Sequence, residues 1–357
     1  MNIKNMKRST RSNLITFGIV IAFYLIVQIL SAAGLLTNSF KGQLVPICAY
    51  VILAISLNLT VGILGELSLG HAGFMSVGAF SGTLVWVTMS PTTPQPLALL
   101  LAFVVGGVVA GIFGFLVGVP VLRLSGDYLA IVTLAFGEIV KNVMNACYLG
   151  LDANGLHFSL KDAGSLGMEA DGKVLINGAM GITGISKASN FTIGTVLVIL
   201  TLLVILNLVH SRAGRAITSI RDNEIAARSV GIPITKYKLM AFVTSAVFAG
   251  IAGVLYSLNY SSLVAKKFDY NTSILILVFV VLGGIGNLRG SVIAAAVLTV
   301  LPEMLRSMND YRMLIYAIVL IVVMIFNQSP QMIELRSKLT ARWRKGGKDE
   351  TKKKGVA

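Results

Sequence analysis

The sequence predicts an all-α integral membrane protein, built as a polytopic bundle of about ten transmembrane helices with some of them broken. The chain of 357 residues is 55% hydrophobic and only 13% charged, too little charge to cover a soluble surface. Uncharged stretches that approach the length of a bilayer-spanning helix recur along most of the chain. Closed barrels would instead show short segments of alternating polarity.

Each span is predicted from an apolar stretch between polar or glycine-rich residues. The eighth and ninth are short, which favours broken or tilted helices there. The first follows four basic residues like a signal peptide, but its apolar part is too long, so we interpret it as a retained helix. The predicted spans are Leu14–Leu36, Leu44–Leu64, Leu67–Met89, Leu97–Pro120, Tyr128–Leu149, Phe191–His210, Leu239–Leu258, Thr272–Gly286, Ser291–Met304 and Met313–Asn327.

The net charge of +15 does not indicate nucleic-acid binding, because the lysines and arginines flank the apolar spans. If both termini are cytoplasmic, the inner segments hold most of the 30 basic residues, as the positive-inside rule requires. The predicted organisation is a basic N-terminus at 1–13, a membrane domain at 14–327 and a basic tail at 328–357. Within the membrane domain, 150–190 forms an outer, periplasmic loop and 211–238 a cytoplasmic segment. The predicted location is a bacterial inner membrane.

Two glycine-rich stretches invite a nucleotide interpretation and fail it. "GMEADGKV" places Val174 where a phosphate-binding loop needs a Mg²⁺-binding hydroxyl, and "GGIGNLRG" has the wrong spacing for a dinucleotide fingerprint. The two cysteines, Cys48 and Cys147, both fall in apolar spans and offer no disulfide framework. We therefore expect no cofactor, no metal and no catalytic residues in this chain.

The inner segment "SRAGRAITSIRDNEIAARSVGIPITKYK" predicts one short helix between two spans. Ser219 and Asp222 have capping-box spacing, so a helix is expected to start near Ile220. Gly231 suits a C-terminal cap, and Pro233 prevents continuation.

This helix has two possible interpretations, a solvated connector or an element that docks into another protein. Small alanines suit close docking, whereas a helix lying on the membrane would show bulkier apolar residues. The residues expected on its charged side are Arg221, Asp222, Glu224 and Arg228. Those expected in an apolar strip are Ile225, Ala226, Ala227 and Val230.

The stretch "GRAITSIRDNEIAARSVGI" resembles the cytoplasmic coupling segment of the branched-chain amino acid ABC transporter permeases. Three further stretches, "LNLTVGILGELSLGHAGFMSVGAF", "GDYLAIVTLAFGEI" and "VLGGIGNLRGSVIAA", resemble signatures of that family in the expected order. The resemblance covers roughly Leu44 to Asn327. Within the family, the chain is more similar to the second of the two permease subunits than to its partner.

The resemblance implies a non-enzymatic permease subunit of an importer for leucine, isoleucine and valine or a related solute, with urea and other amides as an alternative. It implies two ATPase subunits that bind the ATP, a second homologous permease and a periplasmic solute-binding protein. The short helix would dock into an ATPase cleft. The residues expected to contact the ATPase are Arg221, Asp222, Glu224, Ile225, Ala226, Ala227, Arg228 and Gly231.

Charged residues within the apolar part of the chain are candidates for the solute pathway. In "GELSLGHAGF", Glu66 and His71 fall where the second and third spans meet; they are either simply hydrated or, with Ser68, line a pathway between broken helix ends. Glu138 lies inside the fifth span with Lys141 three residues on, the spacing of a same-face pair. That pair is either a buried structural interaction or part of the pathway.

Two other classes of protein remain open at this stage. A secondary transporter could use Glu66, His71 or Glu138 as a proton-coupling group. A membrane scaffold without transport is disfavoured, because glycine-broken spans destabilise helices unless close approach or irregular geometry is needed.

Overall fold

The computed structural model describes residues 8–91, 93–122, 128–152, 155–168, 172–305 and 311–328. Most of the predicted basic tail and the first seven residues of the N-terminal segment lie outside this range. The helices are α1 Arg8–Ala32, α2 Asn38–Asn58, α3 His71–Met89, α4 Gln95–Val121, α5 Tyr128–Ala146, α6 Phe191–His210, α7 Arg212–Asp222, α8 Glu224–Ser229, α9 Ile234–Ser257, α10 Tyr270–Gly283, α11 Leu288–Met304 and α12 Arg312–Gln328. The strands are β1 Tyr148–Asp152, β2 Gly155–Ser159, β3 Lys173–Asn177, β4 Ile182–Thr183 and β5 Ser262–Leu263.

The predicted class, an all-α polytopic membrane bundle, is confirmed. Among the described residues, seven helices are long and apolar enough to cross a membrane: α1, α2 with its continuation, α3, α4, α5, α6 and α9. The last three predicted spans also form helices, but α10 has 14 residues and α11 and α12 have 17 each. At 1.5 Å per residue, α10 is about 21 Å long, shorter than the roughly 30 Å hydrocarbon layer.

The chain divides into two compact units, Met1–Val300 and Leu301–Ala357. In the first, α2 is the most deeply buried span, and α3, α4 and α9 form the most extensive helix packing. Glycines allow these three helices to approach closely, because a Cβ on Gly78 of α3 would clash with the backbone of Gly250 in α9. In the second unit, the described residues comprise the end of α11 and α12.

Replacing Gly78 by leucine is expected to disrupt the α3–α9 contact. The new side chain would have to displace the backbone of Gly250, so we expect a loss of at least about 1–3 kcal/mol of stability, the range for overpacked cores. The measurement is the midpoint of thermal unfolding in detergent. The control is Gly18→Leu in α1, because nothing lies within 4 Å of the position that a Cβ would take at Gly18. An unchanged midpoint for Gly78→Leu would contradict the close approach.

The break between α2 and α3 lies at "GELSLGHAGF". After α2 the chain makes a π-helical turn, Leu59–Leu64, and leaves it at Gly65, whose φ of 85° favours glycine. Side chains of other helices satisfy the exposed backbone there. Leu69 N–H donates to Thr133 Oγ1 at 3.0 Å, and Ala72 N–H donates to the hydroxyl of Ser273, also at 3.0 Å.

The connections place different structures at the two ends of the first unit. The long segment between α5 and α6 forms a three-stranded sheet in the order β2-β1-β3, and β4 pairs with β5; we call this the loop end. Three segments meet at the other end: the α2–α3 break, the α7–α8 segment and the α10–α11 turn. Arg221 of α7 contacts the break, and Gly286 N–H of the α10–α11 turn donates to Asn58 Oδ1 of α2 at 2.8 Å. We call this the break end. Arg289 also anchors α11 to α1 through Thr16 Oγ1 at 2.8 Å.

Candidate functional site

The predicted short helix is present, but its predicted start is wrong. The segment contains two helices, α7 and α8, which meet at Asn223 in an extended conformation. Asn223 Oδ1 caps α8 by accepting from Ala226 N–H at 2.9 Å. Ser219 lies inside α7 and donates to the Ala216 carbonyl at 2.8 Å, while Ser211 caps the start of α7. Asparagine is as good an N-cap as serine, so Asn223 was the signal that the capping-box interpretation overlooked.

The predicted end of the helix is confirmed. Gly231 has a φ of 82° and donates to the Arg228 carbonyl at 3.0 Å. Ile232 N–H reaches back to the Ala227 carbonyl at 3.1 Å, which completes a Schellman cap. Pro233 then precedes the first residue of α9.

The predicted apolar strip of α8 is divided between two faces, so the prediction of one continuous strip is wrong. Ala227 is only 3% exposed and packs with Ile220 and Ile234 against the bundle. Ile225 and Val230 are 83% and 75% exposed, and Ala226 is exposed beside them. Three exposed apolar residues of α8 and its C-terminal cap therefore remain uncovered, and we call them the α8 tip: Ile225, Ala226 and Val230.

Lys238 connects α8, α9 and the break between α2 and α3. Its Nζ donates to Glu66 Oε1 at 2.5 Å and to Glu224 Oε2 at 3.0 Å. The side chain of Lys238 is 7% exposed, that of Glu66 17% and that of Glu224 41%. A lysine so buried needs paired carboxylates to offset its lost hydration. We call these three residues the charge triad.

Arg221 makes a second connection to the break. Its Nη1 donates to the Gly62 carbonyl at 3.1 Å, and its Nη2 donates to Asp222 Oδ1 at 2.8 Å. Its side chain also covers Gly65, where a Cβ would lie 2.6 Å from Arg221 Cγ. Within α8, Arg228 Nη2 also forms an exposed ion pair with Glu224 Oε1 at 3.1 Å. Arg221 and Glu224 therefore hold the α7–α8 segment to the break, a role that the sequence alone did not indicate for them.

His71 is a buried connection between α2 and α3. The hydroxyl of Ser56 lies within hydrogen-bond distance of the Leu53 carbonyl at 3.0 Å and of His71 Nε2 at 2.8 Å. Ser245 of α9 donates to the Ser56 carbonyl at 2.6 Å. Ser68, also buried, has a hydroxyl without a hydrogen-bond partner among the described residues.

The predicted same-face pair of Glu138 and Lys141 is confirmed as an ion pair through Glu138 Oε2. The side chains of Glu138 and Lys141 are 30% and 19% exposed. In the described part of the chain, no hydrogen bond or ion pair joins Glu138 to Glu66, Ser68 or His71. The four predicted pathway residues therefore do not form one bonded cluster.

A third charge lies near this pair. Asp269, in the connection between α9 and α10, caps α10 by accepting from Thr272 N–H at 3.0 Å. Burial raises the pKa of Asp269, but hydrogen bonds from Thr272 and Asn271 outweigh it. The charge of Lys141 lowers the pKa further, so the carboxyl is held below its ordinary value and stays ionised.

These features define a multi-pass membrane protein with broken helices and a short helix attached by charges to one of the breaks. The chain belongs to the family described as the permease component of the branched-chain amino acid transport system, whose family model matches residues 39–324.

Relatives are found in bacteria and archaea. The chain is 36% identical to the high-affinity branched-chain amino acid transport system permease protein LivM of Salmonella typhimurium and 35% identical to that of Escherichia coli; each match covers 78% of this chain and 66% of the relative. A probable branched-chain amino acid transport permease LivM of Methanocaldococcus jannaschii is 24% identical over 68% of this chain and 74% of its own length. No solved structure matches the chain.

The relatives are named as transport permeases rather than as enzymes. Among the described residues, no group of three or more His, Cys, Asp or Glu side chains could hold a metal ion.

Proposed function

We propose that this chain is a permease subunit of an ATP-binding-cassette importer in a bacterial inner membrane. The observation that carries the proposal is the charge triad, because it connects a short helix with an exposed apolar tip to a break between two membrane spans. Such a connection can transmit movement from a docked partner into the membrane. The names of the relatives support branched-chain amino acids as the solute.

The proposed mechanism is alternating access driven by partner ATPases. An ATPase that closes on ATP would move α8 through its contacts with the α8 tip and with the neighbouring charged residues, Asp222 and Arg228. The charge triad and Arg221 would carry that movement to residues 62–66, and α3 would follow because it begins just after the break. No ATP binds to this chain in the mechanism; its residues transmit force and line a path.

The proposed assembly contains two ATPase subunits, a second homologous permease and a periplasmic solute-binding protein. The break end would be cytoplasmic, since α8 must reach the ATPases there. Both termini would then be cytoplasmic, and the loop end would face the periplasm and receive the solute-binding protein. The basic residues that flank the spans support this orientation.

The proposed pathway includes Glu66, Ser68, His71 and Glu138. The hydroxyl of Ser68, which has no partner among the residues that the structure describes, lies just before the start of α3 and supports its inclusion, because helix ends at such breaks offer polar groups to solutes. Glu66 and His71 already have partners in this conformation and would become available only as the break rearranges.

Replacing Ile225 by glutamate is expected to abolish copurification of untagged ATPases with the tagged permease. The side chain is 83% exposed in this chain alone, so the substitution leaves the fold intact but buries a carboxylate in the proposed interface. Leu156→Glu in β2 is the matched control, since that residue is also an exposed aliphatic side chain of the same size but lies at the loop end. Normal copurification of Ile225→Glu would contradict docking through the α8 tip.

A proton-coupled secondary transporter of the same solutes is the alternative mechanism, and a permease for urea or other amides is the alternative solute class. Uptake by this chain alone in ATP-free vesicles would support the first alternative and overturn the importer. Competition of labelled leucine uptake by excess urea, without competition by isoleucine or valine, would support the second.

A further inference from the structure

Four polar residues form a stripe on one face of α5. We call Glu138, Lys141, Asn142 and Asn145 the α5 stripe. Lys141 and Asn142 each lie three or four residues from Glu138 and from Asn145, so the four residues share a helix face. Asn142 is exposed and the other three are partly exposed. Glu138 is the eleventh residue of this 19-residue helix, about 15 Å from its start, which places the charge near the middle of the helix.

Part of the α5 stripe packs against other elements of this chain and part is open: Lys141 is 19% exposed and α5 contacts both α10 and the turn Ala265–Lys267, whereas Asn142 is exposed. Another side of α5, including Phe136 and Val140, lines an apolar cavity of about 520 Å³ shared with α3 and α4. Thr133 faces the α2–α3 break, where it accepts from Leu69 N–H. Of the seven candidate spans, α5 is among those least covered by the rest of the chain. Polar groups are costly in lipid, so the exposed part of the stripe is expected to face water, a solute or another subunit.

The stripe has unused hydrogen-bonding capacity. Glu138 Oε2 accepts from Lys141, but Glu138 Oε1 is buried and has no partner among the described residues. The Lys141 ammonium has three donors, and its bond to Glu138 uses one of them. The carboxylate of Asp269 lies close enough for the charge of Lys141 to act on it. Acceptors and donors of opposite charge are therefore available side by side.

We propose that the α5 stripe is the membrane-embedded binding site for the charged backbone of a zwitterionic α-amino acid, with Glu138 accepting from its ammonium and Lys141 donating to its carboxylate. Asn142, one turn from Glu138, contributes a further donor to the carboxylate. This inference rests on the proposed function and deepens it by naming the chemical class that the pathway selects.

A zwitterion fits the stripe better than a neutral amide does. Its two charges can replace the two halves of the Glu138–Lys141 pair one for one, with no change in the net charge of the site. Urea has no charge to offer either side chain, so it cannot compensate for the free energy lost when the Glu138–Lys141 ion pair separates. Without solute the two side chains neutralise each other, which avoids an isolated charge in the membrane.

The first test uses the complete importer in proteoliposomes, with its ATPases, second permease and binding protein, and measures tritiated L-leucine taken up per ATP hydrolysed. Glu138→Gln and Lys141→Met should each lower this ratio about tenfold or more, the effect of one lost charge-assisted hydrogen bond. Ile139→Ala is the matched control on the adjacent, apolar face of α5 and should stay within about twofold of the unmodified protein.

The charge-exchanged double variant Glu138→Lys with Lys141→Glu separates binding from structure. It can re-form the ion pair, so it should fold and hydrolyse ATP, yet it should remain defective in leucine uptake because the polarity of the site is reversed. Restored uptake would show that the pair is only structural and would overturn the proposal, as would near-normal uptake by both single variants. If the unmodified complex itself shows no ATP-dependent uptake, the proposed function fails, whatever the variants do.

A second measurement does not depend on transport by a charge variant. In a background with Cys48→Ala and Cys147→Ala, which removes both cysteines of the chain, Asn142→Cys should react with a membrane-impermeant methanethiosulfonate reagent. Millimolar L-leucine should slow this reaction, and urea should not. Val143→Cys, the next residue on the apolar face, should not react. Absence of labelling at Asn142→Cys, or labelling that L-leucine leaves unchanged, would overturn the proposal.

Discussion

Lys238→Met is expected to abolish transport and to destabilise the protein by about 3–5 kcal/mol, the cost of removing one partner from a buried ion pair. The substitution leaves the carboxylates of Glu66 and Glu224 facing each other without the ammonium that now separates them. Leaving the Glu66 carboxylate unpaired costs more stability than leaving that of Glu224 unpaired, because the side chain of Glu66 is 17% exposed and that of Glu224 is 41% exposed. The measurements are the thermal unfolding midpoint in detergent and solute uptake per ATP hydrolysed.

A double variant distinguishes the stabilising role of the charge triad from its proposed role in coupling. Lys238→Met combined with Glu66→Gln removes the buried charge from both sides, so most of the stability should return. The charged link from α8 to the break would still be missing and only the Arg221 contact would remain, so uptake per ATP should stay low. Transport at the normal ratio in this double variant would contradict transmission of movement through Lys238, whatever its stability.

The spans and the local pairs were predictable because their signals are contained in short stretches of sequence. Apolar runs located all ten helices that correspond to predicted spans, and the three-residue spacing located the pair of Glu138 and Lys141. The glycines of "GELSLGHAGF" likewise predicted a break between α2 and α3. Each of these features depends on helix geometry alone, which a single sequence records well.

The partners of Glu66 were not predictable, because they come from distant parts of the chain. Lys238 is 172 residues away in sequence, and nothing local marks it as buried. The same limit explains the error at the start of α8. Ser219 and Asn223 are both good caps, and packing of Ala227 against Ile220 and Ile234 accompanies the break at Asn223. Tertiary contacts therefore selected between two locally acceptable helices.

The motif "GELSLGHAGF" has a different meaning once these contacts are known. Its glutamate and histidine looked like candidates for direct contact with a solute. In the structure, Glu66 joins the break to α8 and α9, and His71 joins α2 to α3 through Ser56. Both residues therefore hold the junction between α2 and α3 in place, which differs from the direct contact with solute that the sequence suggested.

Asn58→Leu is expected to cause the second largest effect, a loss of about 2–5 kcal/mol of stability, because two buried hydrogen bonds lose a partner. Asn58 is fully buried; its amide donates to Ser291 Oγ at 2.7 Å and its carbonyl oxygen accepts from Gly286 N–H at 2.8 Å. The bond with Gly286 attaches the α10–α11 turn, "GGIGNLRG", to the end of α2, and the bond with Ser291 attaches α11 to the same place. The unfolding midpoint in detergent should fall well below that of Asn271→Leu, an exposed asparagine used as the control.

A double-mutant cycle tests whether the bridge acts as a unit. Ser291→Ala removes one of the two bonds, so it should cost about 1 kcal/mol, less than Asn58→Leu. Because both substitutions remove the same Asn58–Ser291 bond, the double variant should be less destabilised than the sum of the single effects. Additive effects would mean that the two side chains act independently, and that Asn58 holds the α10–α11 turn through its bond from Gly286 N–H alone. Strong coupling would instead show that Asn58 joins α2 to α11 through its bond to Ser291, in addition to holding the turn through Gly286 N–H.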